Sequence, residues 1–151
     1  MKYYSYENFK NDTNRLILQV EDYKPDAIVG IARGGLSLAH AMAEGLEIRN
    51  VQTLRTELYD KEKKRECITL FGKCEFREIK RVLVVDDIAD SGETLDAVMK
   101  SLICGDTKIE FKSATLFYKL SSIYEPDFWL NEADDWINFF WESDFSKNTK
   151  K

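Results

Sequence analysis

The sequence predicts one α/β domain over residues 1–151, in which a mostly parallel, twisted sheet is flanked by helices on both faces. The length of 151 residues is that of a single domain. The run Val82–Val85 is apolar and rich in β-branched residues, as in a strand that is buried on both faces of a sheet. The segments 26–46 and 81–102 each place a strand before a glycine-containing loop and a helical pattern. This βαβ rhythm favours parallel strands.

The composition is that of a globular protein, with 44% apolar and 32% charged residues. No apolar run approaches the roughly 20 residues of a membrane span, and the polar amino terminus is unlike a signal peptide. A net charge of −5 argues against nucleic acid as a partner. The three cysteines show no Cys-x-x-Cys spacing, which favours free thiols in a reducing compartment. We therefore expect a cytoplasmic protein with neither membrane nor nucleic-acid partners.

The first predicted elements are a helix and a strand–loop–helix unit. The pattern predicts a helix over 6–23 that begins at the capping residue Ser5. A strand over 26–31 is followed by the loop at 32–35, with the sequence ARGG, and by a helix over 37–46. A glycine-rich backbone at such a turn forms a nest for an anion, and the arginine is a forked donor for phosphate oxygens. We expect this loop to bind an anion.

A charged run interrupts the next part of the chain. A short strand over 51–56 precedes the run at 57–66, with the sequence ELYDKEKKRE, and a returning strand over 67–71 follows it. The run contains almost no apolar residue, which is typical of a solvated, mobile loop.

The stretch Arg81–Leu95 combines a buried strand with the start of a helix. Asp86 and Asp87 follow the apolar run directly, at the carboxyl end of the strand, where ligands bind in open α/β sheets. Small polar residues then lead into helical spacing over 95–102, and the free N–H groups of a helix start favour a phosphate. Gly92 permits close approach of a ligand oxygen to the backbone. Because carboxylates accept hydrogen bonds from sugar hydroxyls and bind Mg²⁺, the stretch predicts a phosphosugar site with a divalent cation.

The segment VLVVDDIADSGET within this stretch resembles the motif by which type I phosphoribosyltransferases bind 5-phosphoribosyl-1-diphosphate (PRPP). That motif is an apolar strand, two acidic residues, two variable positions, then an acidic residue, Ser or Thr, Gly and a closing Thr, and this sequence fits it throughout. The resemblance implies that Asp86 and Asp87 hold the ribose hydroxyls and that Mg²⁺ is the cofactor, with Asp87 as its ligand. The PRPP-binding residues that it implies are Asp86, Asp87, Ile88, Ala89, Asp90, Ser91, Gly92, Glu93 and Thr94.

The same resemblance assigns roles to the two loops that precede the motif. It implies that the loop at 32–35 binds the diphosphate of PRPP through Ala32, Arg33, Gly34 and Gly35. It also implies that the run at 57–66 is a flexible hood above the carboxyl edge of the sheet, which closes over the active site and excludes water. Of the cations in this hood, Arg65 is the best candidate for a catalytic contact with the departing pyrophosphate.

The last third of the chain, 120–145, is rich in aromatic residues and follows a predicted strand over 109–118 that ends beside Lys119. Together with Lys119, the sequences DWI at 135–137 and FWE at 140–142 resemble the base pocket of small bacterial xanthine-guanine phosphoribosyltransferases. The resemblance implies that Lys119 meets the 6-oxo group of a purine, that Trp136 stacks on the purine ring, and that the backbone of Ile137 reads its edge. Stacking of this kind is worth about 1–3 kcal/mol per base.

The implied reaction is transfer of a 5-phosphoribosyl group from PRPP to a ring nitrogen of a 6-oxopurine in purine salvage, with release of pyrophosphate. Asp90 is placed to take the proton from the purine nitrogen, and relatives form homodimers or homotetramers. Two alternatives stay open. One is a PRPP-sensing regulatory protein of the same fold, which the acidic net charge disfavours. The other is transfer to another base, which Lys119 disfavours because a cation suits an oxo acceptor. The pair Phe139-Phe140 departs from the xanthine-guanine pattern, so the preferred purine is left open.

Overall fold

A six-stranded sheet forms the centre of the computed structural model, which describes residues 2–61, 65–145 and 147 (of 58–61 and 65–67, the backbone alone). The strands, in chain order, are β1 (Lys2–Tyr4), β2 (Ala27–Ala32), β3 (Val51–Lys61), β4 (Arg65–Phe71), β5 (Arg81–Ala89), β6 (Glu110–Tyr118), β7 (Phe128–Glu132) and β8 (Ile137–Phe139). The spatial order in the central sheet is β4-β3-β2-β5-β6-β7, and every neighbouring pair is parallel except β3 with β4. β1 and β8 form a separate two-stranded parallel sheet.

Helices cover both faces of the central sheet, as predicted. They are α1 (Tyr6–Val20, continued by a 3-10 turn over Glu21–Tyr23), α2 (Leu36–Leu46), α3 (Glu93–Gly105) and the short α4 (Phe140–Ser143). β5 contributes to two cores. Its Leu83 and Val85 pack with α1 and α2, whereas Val82 and Val84 pack with α3. The apolar run is therefore buried on both faces, and the doubly covered, mostly parallel sheet confirms the predicted fold class.

The helix boundaries follow from local chemistry. The hydroxyl of Ser5 accepts a hydrogen bond from the N–H of Asn8 (3.1 Å), so Ser5 caps α1 as predicted. α3 begins after Gly92, whose φ of +85° lies in the left-handed region that favours glycine. α3 therefore starts at the carboxyl edge of the sheet, immediately after β5.

The charged run at 57–66 differs from the predicted loop. β3 continues through Lys61, and β4 begins at Arg65, in an antiparallel register that pairs Arg55 with Phe71 and Lys61 with Arg65. The strand boundaries predicted at 56 and 67 are therefore wrong. Strand pairing satisfies the backbone of a hairpin whatever its side chains, so side-chain polarity alone does not exclude a strand. Residues 62–64 of the predicted hood lie outside the described part of the chain.

Candidate active site

A cleft of about 630 Å³ opens at the carboxyl edge of the central sheet. Parallel strands end together at this edge, so residues from distant parts of the chain meet there. Of the predicted site residues, those that line the cleft are Ala32, Gly34, Asp86, Asp87, Ile88, Asp90, Thr94, Lys119, Trp136 and Ile137. One cleft thus brings together parts of the predicted diphosphate loop and of the PRPP motif with the predicted purine-binding residues. The predicted residues with described side chains that are not among those lining the cleft are Arg33, Gly35, Ala89, Ser91, Gly92 and Glu93.

Two adjacent buried carboxylates line the cleft. Asp86 and Asp87 are both buried at the end of β5, and the N–H of Asp87 donates a hydrogen bond to Oδ1 of Asp86 (2.8 Å). Burial, with a smaller contribution from the nearby carboxylate of Glu142, raises the pKa of Asp87 to about 6. Burial and the charge of Asp87 raise the pKa of Asp86 well above its ordinary value. A pair of this kind binds a proton or a cation at neutral pH.

The donor set of this pair fits Mg²⁺. Carboxylate oxygens are the hard ligands that Mg²⁺ prefers, and Mg²⁺ is commonly held by one or two carboxylates together with substrate phosphates. Among the described residues, no group of three or more Asp, Glu, His or Cys side chains is arranged to hold a metal ion. The residues present therefore fit a cation that takes its remaining ligands from a phosphorylated substrate.

The loop after β2 packs directly against this pair. A Cβ atom added to Gly34 would lie 2.4 Å from Oδ2 of Asp87, so only glycine allows this approach. A Cβ atom on Gly35 would lie 2.4 Å from the carbonyl oxygen of Val85, so the backbone at Gly35 packs directly against β5. The peptide between Ala32 and Arg33 is cis, and the Arg33 side chain is exposed.

The turn between β5 and α3 exposes helix-start N–H groups beside the cleft. The hydroxyl of Ser91 accepts a hydrogen bond from the N–H of Glu93 (3.3 Å), and Thr94 lines the cleft. The loop after β6 supports the turn, because the N–H of Ile123 donates to the carbonyl of Ser91 (2.8 Å). The N–H of Lys119 donates to the carbonyl of the buried Ala89 (3.0 Å). The turn thus has the form of a helix N-terminus, which is suited to binding a phosphate.

A cation and a carboxylate face each other at the mouth of the cleft. Nζ of Lys119 lies 3.5 Å from Oδ1 of Asp90, and both side chains are about half exposed. Of the described residues that line the cleft, Lys119 is the only cation. A ligand that contacts Lys119 therefore also lies within reach of Asp90.

The predicted purine-binding pair lies at the start of β8. Trp136 lines the cleft and is 65% exposed, whereas Ile137 lines it and is buried. The N–H of Lys2 in β1 donates to the carbonyl of Trp136 (2.9 Å), and Lys2 pairs with Ile137. In such a parallel pair the N–H and C=O of Ile137 point away from β1. An exposed indole beside an available backbone edge is suited to a flat heterocycle.

Some lining residues were not predicted from the sequence. Among them are Thr56 on β3, the acidic residues Asp134 and Glu142, and Phe139 on β8. The sequence assigns none of them a role, although Glu142 ends the FWE segment, because they reach the cleft only through the pairing of strands and the path of the last third of the chain. The side chain of Arg65, the predicted hood cation, lies outside the described part of the chain. No helix in that part is long and apolar enough to cross a membrane.

Comparison with known proteins gives concordant results. Residues 2–146 match the family model of the phosphoribosyl transferase domain. The chain is 31% identical over 147 residues to the xanthine-guanine phosphoribosyltransferase of Cereibacter sphaeroides, covering 91% of this chain and 84% of that protein. It superimposes on a xanthine-guanine-hypoxanthine phosphoribosyltransferase of Helicobacter pylori with a TM-score of 0.91, at 38% identity over 99% of this chain and 97% of the other. A purine phosphoribosyltransferase from Pyrococcus horikoshii gives a TM-score of 0.81 at 29% identity, over 93% and 92% of the two chains.

Proposed function

Because the chain belongs to the phosphoribosyltransferase family, we propose that it transfers the 5-phosphoribosyl group of PRPP to a 6-oxopurine. The acceptor is guanine, xanthine or hypoxanthine, and the products are a nucleoside 5′-monophosphate and pyrophosphate, as in purine salvage. The names of the relatives from C. sphaeroides and H. pylori support this acceptor class.

The observation that carries the proposal is the convergence of two kinds of site in one cleft. The carboxylate pair of Asp86 and Asp87 borders the same cavity as Lys119 and Trp136. The first pair suits a ribose with a metal-bound diphosphate, and the second suits a flat ring with an oxo group. A transferase that joins a phosphosugar to a purine requires this adjacency.

The residues of the chain have separate tasks in this reaction. The turn after β5 grips the 5′-phosphate through backbone N–H groups and the hydroxyls of Ser91 and Thr94. The loop after β2 holds the diphosphate in line with the acceptor. As the bond to the diphosphate breaks, the ribose ring gains positive charge, as in other glycosyl transfers. Stabilisation of the departing diphosphate then lowers the barrier.

The acceptor end of the cleft handles the purine and its proton. The ammonium of Lys119 donates a hydrogen bond to the 6-oxo oxygen, and the ring stacks on Trp136. Asp90, which lies beside Lys119, takes the proton from N7 of the purine while N9 attacks C1 of the ribose and the bond from C1 to the diphosphate breaks. The backbone of Ile137 reads the edge of the ring on the far side.

Asp87 and Asp86 would hold Mg²⁺ as part of a complex with PRPP. When bound, the ion neutralises the diphosphate and makes it a better leaving group. The raised pKa values of both carboxyl groups support this assignment, since a cation would replace the proton that the pair otherwise binds.

Three further parts of the proposal rest on the family and on composition. The run at 57–66 acts as the hood, and Arg65 contacts the pyrophosphate when the hood closes. The protein assembles as a homodimer or homotetramer, as the family resemblance implies. Its cysteine usage supports a cytoplasmic location.

The test is release of pyrophosphate from PRPP and Mg²⁺, with guanine, xanthine, hypoxanthine, adenine, uracil and orotate supplied separately. Turnover with one or more 6-oxopurines, and none without an acceptor, is the expected result. Turnover with adenine, uracil or orotate alone would replace the acceptor class. Tight binding of PRPP without turnover of any base would instead establish a PRPP sensor.

A further inference from the structure

The amino-terminal strand β1 lies against the purine-binding segment, although the sequence marks no function there. Lys2–Tyr4 pairs residue by residue with Ile137–Phe139, and the N–H of Lys2 donates to the carbonyl of Trp136. β8 is only three residues long, so its position depends on this partner strand. The backbone that borders the purine subsite is thus held by the opposite end of the chain.

Tyr4 is the residue that fixes β1 to the core. Its side chain is 3% exposed, and its ring makes edge-to-face contacts with Phe117 (5.1 Å between centroids) and Phe139 (5.6 Å). Phe139 is also the strand partner of Tyr4 and lines the cleft. The side chain of Tyr4 therefore packs against Phe139, a residue that lines the cleft, on the side of Phe139 that faces the core.

A hydrogen-bond chain fixes the orientation of the Tyr4 ring. Its hydroxyl donates to Oδ2 of Asp12 on α1 (2.7 Å), and the same oxygen accepts from the side-chain amide of Asn131 on β7 (2.9 Å). Burial and the hydrogen bond to Asp12 raise the pKa of the Tyr4 phenol, so that it stays a donor throughout the physiological range. Two elements that do not line the cleft, α1 and β7, thereby determine the orientation of the Tyr4 ring.

We propose that Tyr4 is a positioning residue for the acceptor purine, which acts through Phe139 and the β1–β8 pairing to hold the Trp136–Ile137 backbone at the edge of the cleft. This inference rests on the proposed function, because it concerns the purine subsite of that reaction. The PRPP motif is carried by β5, which pairs with β2 and β6 in the central sheet rather than with β1. Loss of the Tyr4 ring should therefore weaken one substrate and spare the other.

The test compares steady-state kinetics of Tyr4→Leu and Tyr4→Phe with those of the wild type. We expect Tyr4→Leu to raise the purine KM about tenfold, equivalent to about 1.4 kcal/mol, and to leave the PRPP KM within about twofold. Tyr4→Phe keeps the aromatic contacts and should restore most of the purine affinity.

Tyr23→Leu is the matched control. Tyr23 is a half-buried tyrosine at the opposite edge of the sheet, where its hydroxyl donates to the carbonyls of Val82 and Glu110. Its removal should lower the melting temperature but leave the purine KM unchanged. An equal rise of the purine KM in Tyr23→Leu would show that general destabilisation, rather than position, explains the effect.

A further variant applies if Tyr4→Leu does not fold. Asp12→Ala removes the acceptor of the Tyr4 hydroxyl from the surface of α1, and we expect it to raise the purine KM alone, by about threefold. If the wild type is active and the variants that fold have the purine KM of the wild type, the proposed role of Tyr4 is wrong and the proposed function still stands. Absence of wild-type turnover with every 6-oxopurine would overturn both.

Discussion

Nζ of Lys119 lies 3.5 Å from Oδ1 of Asp90, so the cation proposed to hold the purine oxygen touches the carboxylate proposed to take the purine proton. The two side chains come from different strand ends, β6 and β5, that meet at one edge of the sheet. A 6-oxopurine carries its oxo group on the side of the ring adjacent to N7. A single bound orientation can therefore serve both residues.

Asp90→Asn should abolish most turnover while PRPP still binds. The amide keeps the size of the side chain but cannot take a proton, and positioned general bases contribute about 10²–10⁴-fold to rate. We expect kcat to fall at least about a hundredfold, measured by pyrophosphate release, with the Kd for PRPP unchanged by calorimetry. Asp96→Asn is the control, because Asp96 pairs with Lys100 on α3 and does not line the cleft. Equal kcat in Asp90→Asn and the wild type would remove the general-base role.

Trp136→Ala should raise the purine KM more than any other kinetic constant. Loss of a stacking surface costs about 1–3 kcal/mol, which corresponds to a rise in KM of roughly 5- to 150-fold. Because the side chain is 65% exposed, the melting temperature should hardly change. Trp136→Phe should recover part of the affinity. If the purine KM of Trp136→Ala matched that of the wild type, the indole would not contact the acceptor.

Gly34→Ala should weaken PRPP binding. The added Cβ would meet Oδ2 of Asp87 at 2.4 Å, so either the loop or the carboxylate must move. Because displacements of this size disrupt aligned reactants, we expect the PRPP KM to rise at least about tenfold. Gly105→Ala is the matched control, since its Cβ would have no atom within 4 Å and α3 favours alanine at its end. A PRPP KM in Gly34→Ala equal to that of Gly105→Ala would contradict the close approach.

The stability of the protein without Mg²⁺ should fall as the pH rises through about 6. Burial raises the pKa of Asp87 from 3.8 to about 6, so the folded state holds a proton that the unfolded chain releases. This proton contributes stability below about pH 4, and the contribution is lost as the pH rises through the folded pKa. The loss amounts to at most about 3 kcal/mol.

Thermal melts at about pH 5 and pH 8, with and without excess Mg²⁺, measure this effect. We expect Mg²⁺ to raise the melting temperature more at the higher pH. The carboxyl group of Asp87 is then deprotonated, so Mg²⁺ does not have to compete with a proton bound there. Asp87→Asn should melt higher than the wild type at the higher pH without Mg²⁺ and should lose the response to Mg²⁺. An identical Mg²⁺ response in Asp87→Asn would exclude Asp87 as a ligand.

The sequence predicts those parts of the site that local chemistry specifies. Val82–Val85 identifies the buried strand by its composition alone, and the small polar residues at 90–94 indicate the turn into a helix. The position of Lys119 follows in the same way from the end of a strand. The predicted purine-binding segment, by contrast, depended on resemblance, since nothing in its spacing indicates a heterocycle site.

Long-range pairing explains what the sequence did not predict. β1 and β8 are three residues each, which is too short for a periodic pattern, and they pair across nearly the whole chain. Glu142 affects the pKa of Asp87 only because the chain returns to the cleft after β8. The extension of β3 and β4 through the charged run likewise reflects pairing between strands rather than side-chain composition.

The PRPP motif on β5 and the purine-binding segment at β8 differ in how readily their strands open locally. β5 lies between two neighbours in a six-stranded sheet with both faces covered, so its amides should exchange with solvent only on global unfolding. β8 belongs to a two-stranded sheet of three residue pairs, and its amides should exchange through smaller, more frequent openings. Mild denaturation would accordingly release the acceptor base while the phosphosugar is still held.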